Sequence, residues 1–290
     1  MTGLTGRQRN TLEQFYTHYA IARQCMKTIN NIVPIQQYTH IVEPSAGLGV
    51  FLDELKSYKV DSSISAFDII ASERDDITTQ DFLTLSEEKI ETWRKNKTLV
   101  FGNPPFGRQS SLVRRFINQS TRFADTLAFI LPRSFLKQSL QKMFPLRFHL
   151  EHNQELPSDC FQLSNGKRHH VPCVFQIWRR HTTDRIVDVK LTPCEYYQFT
   201  SSPNEADCCF RRVGVYAGQV STHTEAKSPS SHYFIQFSFE VLPDIKERVI
   251  QTLCDYPWNS DQTVGPKSIS KQEMMGVLNK LFTDIYEKAS

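Results

Sequence analysis

Between residues 40 and 55 the chain runs from a short apolar strand, His40-Ile41-Val42-Glu43, through Pro44-Ser45-Ala46-Gly47-Leu48-Gly49 into a helical segment from Val50 to Leu55. A strand that passes through a tight glycine turn straight into a helix opens a βα unit, whose helix crosses back so that the next strand lies parallel to the first. The chain continues in that manner. Strands are expected at Ser63 to Asp68, near Ile77, at Thr98 to Gly102 and at Leu127 to Leu131, alternating with helical patterns at Glu87–Trp93 and Leu112–Thr121. This alternation predicts an α/β fold, a mostly parallel sheet with helices on both faces. Upstream, Leu12, Phe15, Tyr19, Ile21, Ala22, Cys25, Met26 and Ile29 fall close to helical spacing, so a helix is expected over most of 12–30. Past Pro132, the strand-like pieces Phe144 to Glu151 and Pro172 to Trp178 fit an antiparallel pair closing one edge of the sheet. Farther on, Tyr233 to Phe239 reads as a strand and Lys271 to Lys288 as a docked helix.

Composition removes several function classes. Lys and Arg exceed Asp and Glu by only 34 to 31, too little to announce nucleic acid by net charge, so any basic surface must be local. With 39% hydrophobic and 22% charged residues the chain is an ordinary globular one, not a fibre or a disordered tail. Its 7 cysteines have no C-x-x-C spacing and read as reduced thiols, which fits an intracellular protein of cytoplasm or nucleus that is not secreted. The adjacent pair Cys208 and Cys209, even with His169 and His170, lacks metal-ligand spacing, and no metal is expected. The longest apolar runs, such as Thr126 to Pro132, are strand length, so no membrane span is expected.

Two segments carry chemistry. Gly47 and Gly49 let the backbone approach a cofactor with no side chain in the way, and Asp68, 19 residues after Gly49, ends the next strand where a carboxylate would accept both hydroxyls of a ribose. The second segment is Asn103-Pro104-Pro105-Phe106, directly after the strand Thr98 to Gly102. A planar amine is a poor nucleophile because its lone pair is delocalised. If the Asn103 side-chain oxygen and the Pro104 carbonyl each accept one amine hydrogen, the lone pair is freed toward a methyl donor, and the two acceptors matter most as the nitrogen turns cationic. Two prolines hold those acceptors at little entropic cost. Phe106 offers a ring on which an extruded base can stack.

Together these motifs resemble the class I S-adenosylmethionine-dependent amino-methyltransferases with an N/D/S-P-P-Y/F motif, over roughly residues 10–180. Gln14-Phe15-Tyr16-Thr17, ahead of the glycine turn, is similar to the segment that contacts the methionine part of the cofactor in gamma-class N6-adenine DNA methyltransferases. The resemblance implies a Rossmann-like, mostly parallel seven-stranded sheet and S-adenosylmethionine as cofactor. It implies that Phe15, Tyr16, Thr17, Glu43, Ser45, Gly47 and Gly49 surround the cofactor's methionine and ribose, that Asp68 takes the ribose hydroxyls and that Ile69 lies against adenine. Asp81-Phe82 resembles the family's next acidic-aromatic pair, with Asp81 accepting from the adenine amine. Ser45 stands where other class I enzymes often have glycine. Phe106 replaces the commoner tyrosine, which keeps the ring and removes the phenolic hydroxyl.

The same motif serves adenine in DNA, adenine in RNA, cytosine N4 and the glutamine amide of release factors. Only a short segment precedes the cofactor strand, which demotes glutamine, and the motif order favours DNA over ribosomal or messenger RNA. Arg108, Arg114, Arg115, Lys167 and Arg168 are the residues expected to meet phosphates, with Arg122, Arg133, Lys137, Arg179-Arg180 and Arg211-Arg212 also basic. A non-catalytic cofactor-binding scaffold is the reading from another class, and it has no need of intact Asn103 and Pro104 acceptors. The expected domains are 10–180 for methyl transfer and 181–290 as an extension to which the sequence assigns no role, substrate recognition being one candidate. A restriction or accessory partner is not readable from the sequence.

Overall fold

The computed structural model describes residues 15–157, 159–162, 171–187, 190–258 and 268–286, together with the backbone of 168–169. The chain divides into two compact units, Met1–Ile186 and Val187–Ser290.

In the first unit β1 (Tyr16–Thr17) precedes α1 (Tyr19–Ile32), followed by β2 (His40–Glu43), α2 (Val50–Leu55), β3 (Ser63–Asp68) and β4 (Thr78–Thr79). Next come α3 (Glu87–Arg94), β5 (Thr98–Gly102), α4 (Ser111–Ser120), β6 (Thr126–Pro132), α5 (Gln138–Gln141), β7 (Phe148–Glu155), β8 (Phe161–Gln162), β9 (Arg168–His169) and β10 (Cys173–Arg180). Seven strands form one sheet in the order β4-β3-β2-β5-β6-β10-β7. The first five run parallel, while β10 lies antiparallel between β6 and β7. This is the Rossmann-like α/β architecture. Strands β2, β5 and β6 are buried at every residue, as continuous apolar runs covered by helices on both faces must be. Helix α1 buries a single stripe of Ile21, Ala22, Cys25, Met26 and Ile29.

Three expectations are corrected. Helix α1 begins at Tyr19, because Tyr16 and Thr17 pair antiparallel with Gln162 and Phe161, and the His18 imidazole caps the helix by accepting from Ala20 N–H at 3.3 Å. Residues 12–14 of that expected helix lie outside the described residues. The strand expected from Phe144 starts four residues later. Phe144 stacks on Trp178 at 4.1 Å, and the Arg185 guanidinium donates to the carbonyls of Gln141, Phe144, Pro145 and Phe148, which holds 141–148 as a turn. The strand expected from Tyr233 to Phe239 ends two residues earlier, at Phe237. Between β7 and β10, β8 and β9 join β1 in a small antiparallel sheet.

The second unit has a four-stranded antiparallel sheet built from β11 (Tyr197–Thr200), β12 (Cys208–Arg211), β13 (Val220–Ser221) and β14 (His232–Phe237), in the order β11-β14-β12-β13. Helices α6 (Pro243–Asp255) and α7 (Lys271–Tyr286) contribute Val249, Leu253, Met274, Leu278 and Phe282 to a core shared with Tyr197, Cys208, Phe210, Ile235 and Phe237. Helix α6 and strands β11 and β12 went unread in the sequence. Among the described residues no helix is long and apolar enough to cross a membrane.

Candidate functional site

From β2 the sheet grows outward in two directions, through β3 and β4 on one side and through β5 and β6 on the other. The loops leaving β2 and β5 therefore part company at the carboxyl ends of adjacent strands, the crevice where open α/β sheets bind ligands. The glycine turn follows β2 and Asn103-Pro104-Pro105-Phe106 follows β5, so the topology brings together the two segments singled out in the sequence. One side-chain bond joins them directly, from the Ser45 hydroxyl to the Asn103 carbonyl at 3.1 Å.

The turn needs its glycines. Gly47 has φ +54°, and a β-carbon there would stand 3.2 Å from the Tyr16 ring, which places β1 against the turn. Gly49 has φ +76° at the cap of α2, with the Arg74 guanidinium 2.6 Å from where its β-carbon would be. Arg74 also pairs with Asp53 and Asp76, each at 2.8 Å, and donates weakly to the Leu48 carbonyl at 3.4 Å. It holds the Asp76 carboxyl down at about 2 and Asp53 below its ordinary range, through these hydrogen bonds. Sequence reading missed Arg74, since Ser72-Glu73-Arg74-Asp75-Asp76 looks like any solvated loop and nothing local ties it to Gly49.

Two acceptors at the switch point are buried and have no partner among the described residues, Glu43 Oε2 and Asn103 Oδ1. Glu43 is 1% exposed, and burial pushes its carboxyl well above the usual carboxylate range. The Asn103 amide nitrogen donates to the Phe15 carbonyl at 3.1 Å, which fixes the amide's orientation and turns Oδ1 the other way. Asp68 accepts from Gly47 N–H at 2.7 Å and from Ile70 N–H at 2.9 Å, one bond on each oxygen. A carboxylate accepts about four hydrogen bonds, so two positions remain for a ligand. Ile69 beside it is 59% exposed.

Other expected residues sit elsewhere. Phe82 is corrected to a core residue: it is 1% exposed, stacked on Phe116 at 5.5 Å and flanked by Phe67 and Phe123, so it has no surface to offer a cofactor. Asp81 caps the following helical turn by accepting from Leu83 N–H at 2.9 Å, which occupies one oxygen only. Phe15 and Phe106 both lie against Phe161, and Phe106 is buried edge-on to it at 6.3 Å. The ring expected to be open to a base is thus buried. Pro104 is buried and Pro105 half-buried.

The loop after Phe106 is strained, with Gln109 at φ +54° and Ser110 at φ +62°, conformations that cost non-glycine residues of order 1–3 kcal/mol each and gather at functional sites. It carries Arg108, and α4 presents Arg114 and Arg115 on the side opposite its buried Val113, Phe116 and Ile117. All three arginines are exposed and form no ion pair among the described residues. Arg122 pairs with Glu87, Arg133 with Glu155 and Arg179 with Glu151, while Arg180 donates to backbone carbonyls, so that these four are spent within the fold. Lys167 and the side chain of Arg168 lie outside the described residues.

Fold and site thus define a doubly wound domain with a ligand crevice at its switch point. No protein-family model and no curated protein matches the chain. Among solved structures it is similar to a Pyrococcus horikoshii protein provisionally named an RNA methyltransferase, at 14% identity, covering 62% of this chain and 93% of that one with a TM-score of 0.46. A Listeria monocytogenes protein provisionally named a class I S-adenosylmethionine-dependent methyltransferase gives 15% identity, 65% and 66% coverage and a TM-score of 0.43. A type I restriction-modification methyltransferase subunit from Streptococcus thermophilus gives 13%, 59% and 46%, with a TM-score of 0.44. At such scores the likeness carries no argument, and the function has to be argued from the site itself.

Proposed function

We propose that the first unit is an S-adenosylmethionine-dependent methyltransferase acting on the N6 amine of adenine in nucleic acid, DNA ahead of RNA. The observation that carries this reading is Asn103 Oδ1, an acceptor buried without a partner among the described residues, at the end of β5 beside the glycine turn. Leaving such an atom unpaired costs about 1–3 kcal/mol, a cost that a substrate N–H removes.

The crevice fits the cofactor. Glu43 Oε2 is a buried acceptor with no partner among the described residues, Asp68 has lone pairs left for a ribose, Ile69 offers apolar surface to a base, and Gly47 and Gly49 keep the turn bare. Bound there, S-adenosylmethionine supplies an electrophilic methyl group. Asn103 Oδ1 and the Pro104 carbonyl accept the two hydrogens of the adenine amine, and their attraction grows as positive charge develops on the nitrogen, so they favour the transition state over the ground state. Phe106 is buried, so an extruded base stacks on it only after its surroundings have given way. Arg108, Arg114 and Arg115 hold flanking phosphates. The position of Tyr16 against Gly47 supports the gamma-class motif order and with it DNA. The test is transfer of labelled methyl to duplex DNA, single-stranded DNA, RNA and protein, followed by nucleoside analysis. N6-methyladenine is expected; label only in glutamine or only in cytosine would overturn the substrate, and no transfer to any of them would favour the scaffold.

A further inference from the structure

The second unit has a cavity of about 260 Å³ lined by Cys209, Arg211, Ser221, Lys227, His232 and Cys254, among others. Its origin is a matter of register. On β12 the core takes Cys208 and Phe210, so the period of two sends Cys209 and Arg211 to the opposite face. Pairing then sets Ser221 beside Cys209 and His232 directly across from Arg211. Lys227 arrives from the loop before β14, and Cys254 from α6.

The lining contains two permanent cations and an imidazole but no carboxylate among the described residues. Arg211 donates to the Val213 carbonyl at 3.2 Å, and neither Arg211 nor Lys227 forms an ion pair among the described residues. The His232 Nδ1 faces the Ser228 carbonyl at 3.2 Å and the Ser231 hydroxyl at 3.0 Å, which ties that nitrogen to the loop and leaves Nε2 as the ring's remaining polar atom. Burial together with the Arg211 and Lys227 charges holds the imidazole below its usual range, so the two cations act on the cavity unscreened by any anion among the described residues that line it. By contrast, Lys246 in the same unit pairs with Asp207 at 3.0 Å. Converging like charges with hydroxyl and amide donors and no counter-charge are the complement of a multivalent oxyanion, which takes charge-assisted bonds from several donors at once.

We infer that this cavity is a phosphate-binding site, with Arg211, Lys227 and Ser221 as its donors. The phosphate comes either from a nucleic-acid backbone or from a free phosphate or phosphomonoester. The inference does not depend on methyl transfer, and its test uses none.

Cys254 supplies the reporter, since it is the exposed thiol on the wall, whereas Cys209 is buried. Alkylation of Cys254 by iodoacetamide is followed by peptide mapping on the full chain, with inorganic phosphate in one arm and a short unphosphorylated DNA duplex in the other. Saturable slowing by inorganic phosphate identifies a free-phosphate ligand; slowing by the duplex alone identifies the backbone. In either case K227Q should weaken the protection at least tenfold, and because the Lys227 side chain makes no hydrogen bond among the described residues, the variant's melting temperature should match that of wild type. R211Q should have the same effect, although its loss of the Val213 bond leaves K227Q as the deciding variant. If neither arm slows alkylation, or if K227Q is protected as well as wild type, the inference is overturned.

Discussion

A pair of polar side chains in each unit is satisfied to a different degree. In the second, Asp207 accepts from Phe237 N–H with one oxygen and from Lys246 with the other, and Asn279 accepts from Cys194 N–H and the Tyr197 hydroxyl while donating to the Thr192 carbonyl. Those side chains hold a fold together. In the first, Glu43 and Asn103 keep one buried acceptor each without a donor among the described residues, at the carboxyl ends of adjacent strands. Unpaired buried acceptors lower stability, and these two lie together in the crevice proposed above as the ligand site.

The largest effect tests whether the second unit is held by its own core. Phe282 is fully buried among the rings of Tyr196, Tyr197, Phe237 and Tyr286. Phe282→Ala should destabilise that unit by about 3–5 kcal/mol, seen as lost hydrogen-exchange protection in α7, with cofactor affinity unchanged. A parallel loss of affinity would break the separation between the units. Next, Asn103→Ala removes an acceptor used mainly in the transition state. Turnover should fall about a hundredfold or more, roughly 2.7 kcal/mol, with calorimetric cofactor affinity near wild type. Full activity would show that the amine is activated some other way.

Binding should respond less. Asp68→Ala and Gly47→Val are each expected to weaken cofactor affinity by at least about tenfold, or 1.4 kcal/mol, the first by loss of the ribose acceptor and the second through φ +54° and the Tyr16 ring. Smaller again is a proton effect. Burial favours the neutral form of Glu43, and a cationic ligand favours the carboxylate, so binding should release up to one proton and affinity should weaken as pH falls, by no more than about tenfold per pH unit. Calorimetry in two buffers of different ionisation heat reads this directly, and Glu43→Gln should abolish it. Least of all, replacing Arg108, Arg114 and Arg115 by Ala should leave stability within about 0.5 kcal/mol while flattening the salt slope of DNA binding by about 0.9 for each phosphate that is no longer neutralised. An unchanged slope would return these residues to the solvated surface.

Legibility in the sequence divides along the same line. The strands and turns around the crevice were readable because each βα unit is local: β2, its glycine turn and α2 span 16 residues, and β5 passes directly into Asn103. The second unit pairs Tyr197 with Phe237 and Cys208 with Ile235, partners that no local period connects, and its strands are short. Within the site, Asn103 and Asp68 could be named from their place after a strand, whereas Arg74 reaches Gly49 across a loop, and Phe82 shares an acidic-aromatic pattern with residues that line a cofactor although its ring lies in the core.

The bond from Ser45 to the Asn103 carbonyl makes one hydroxyl common to the turn after β2 and the loop after β5. Variation at Ser45 therefore touches both. A change at Ser45, even to the glycine frequent in related turns, alters the placement of Asn103 as well, and its consequences will depend on what already occupies the 103–110 segment. On the function proposed above, swapping either loop alone should yield proteins that fold but transfer no methyl group, which a melting curve and a labelled-methyl assay check.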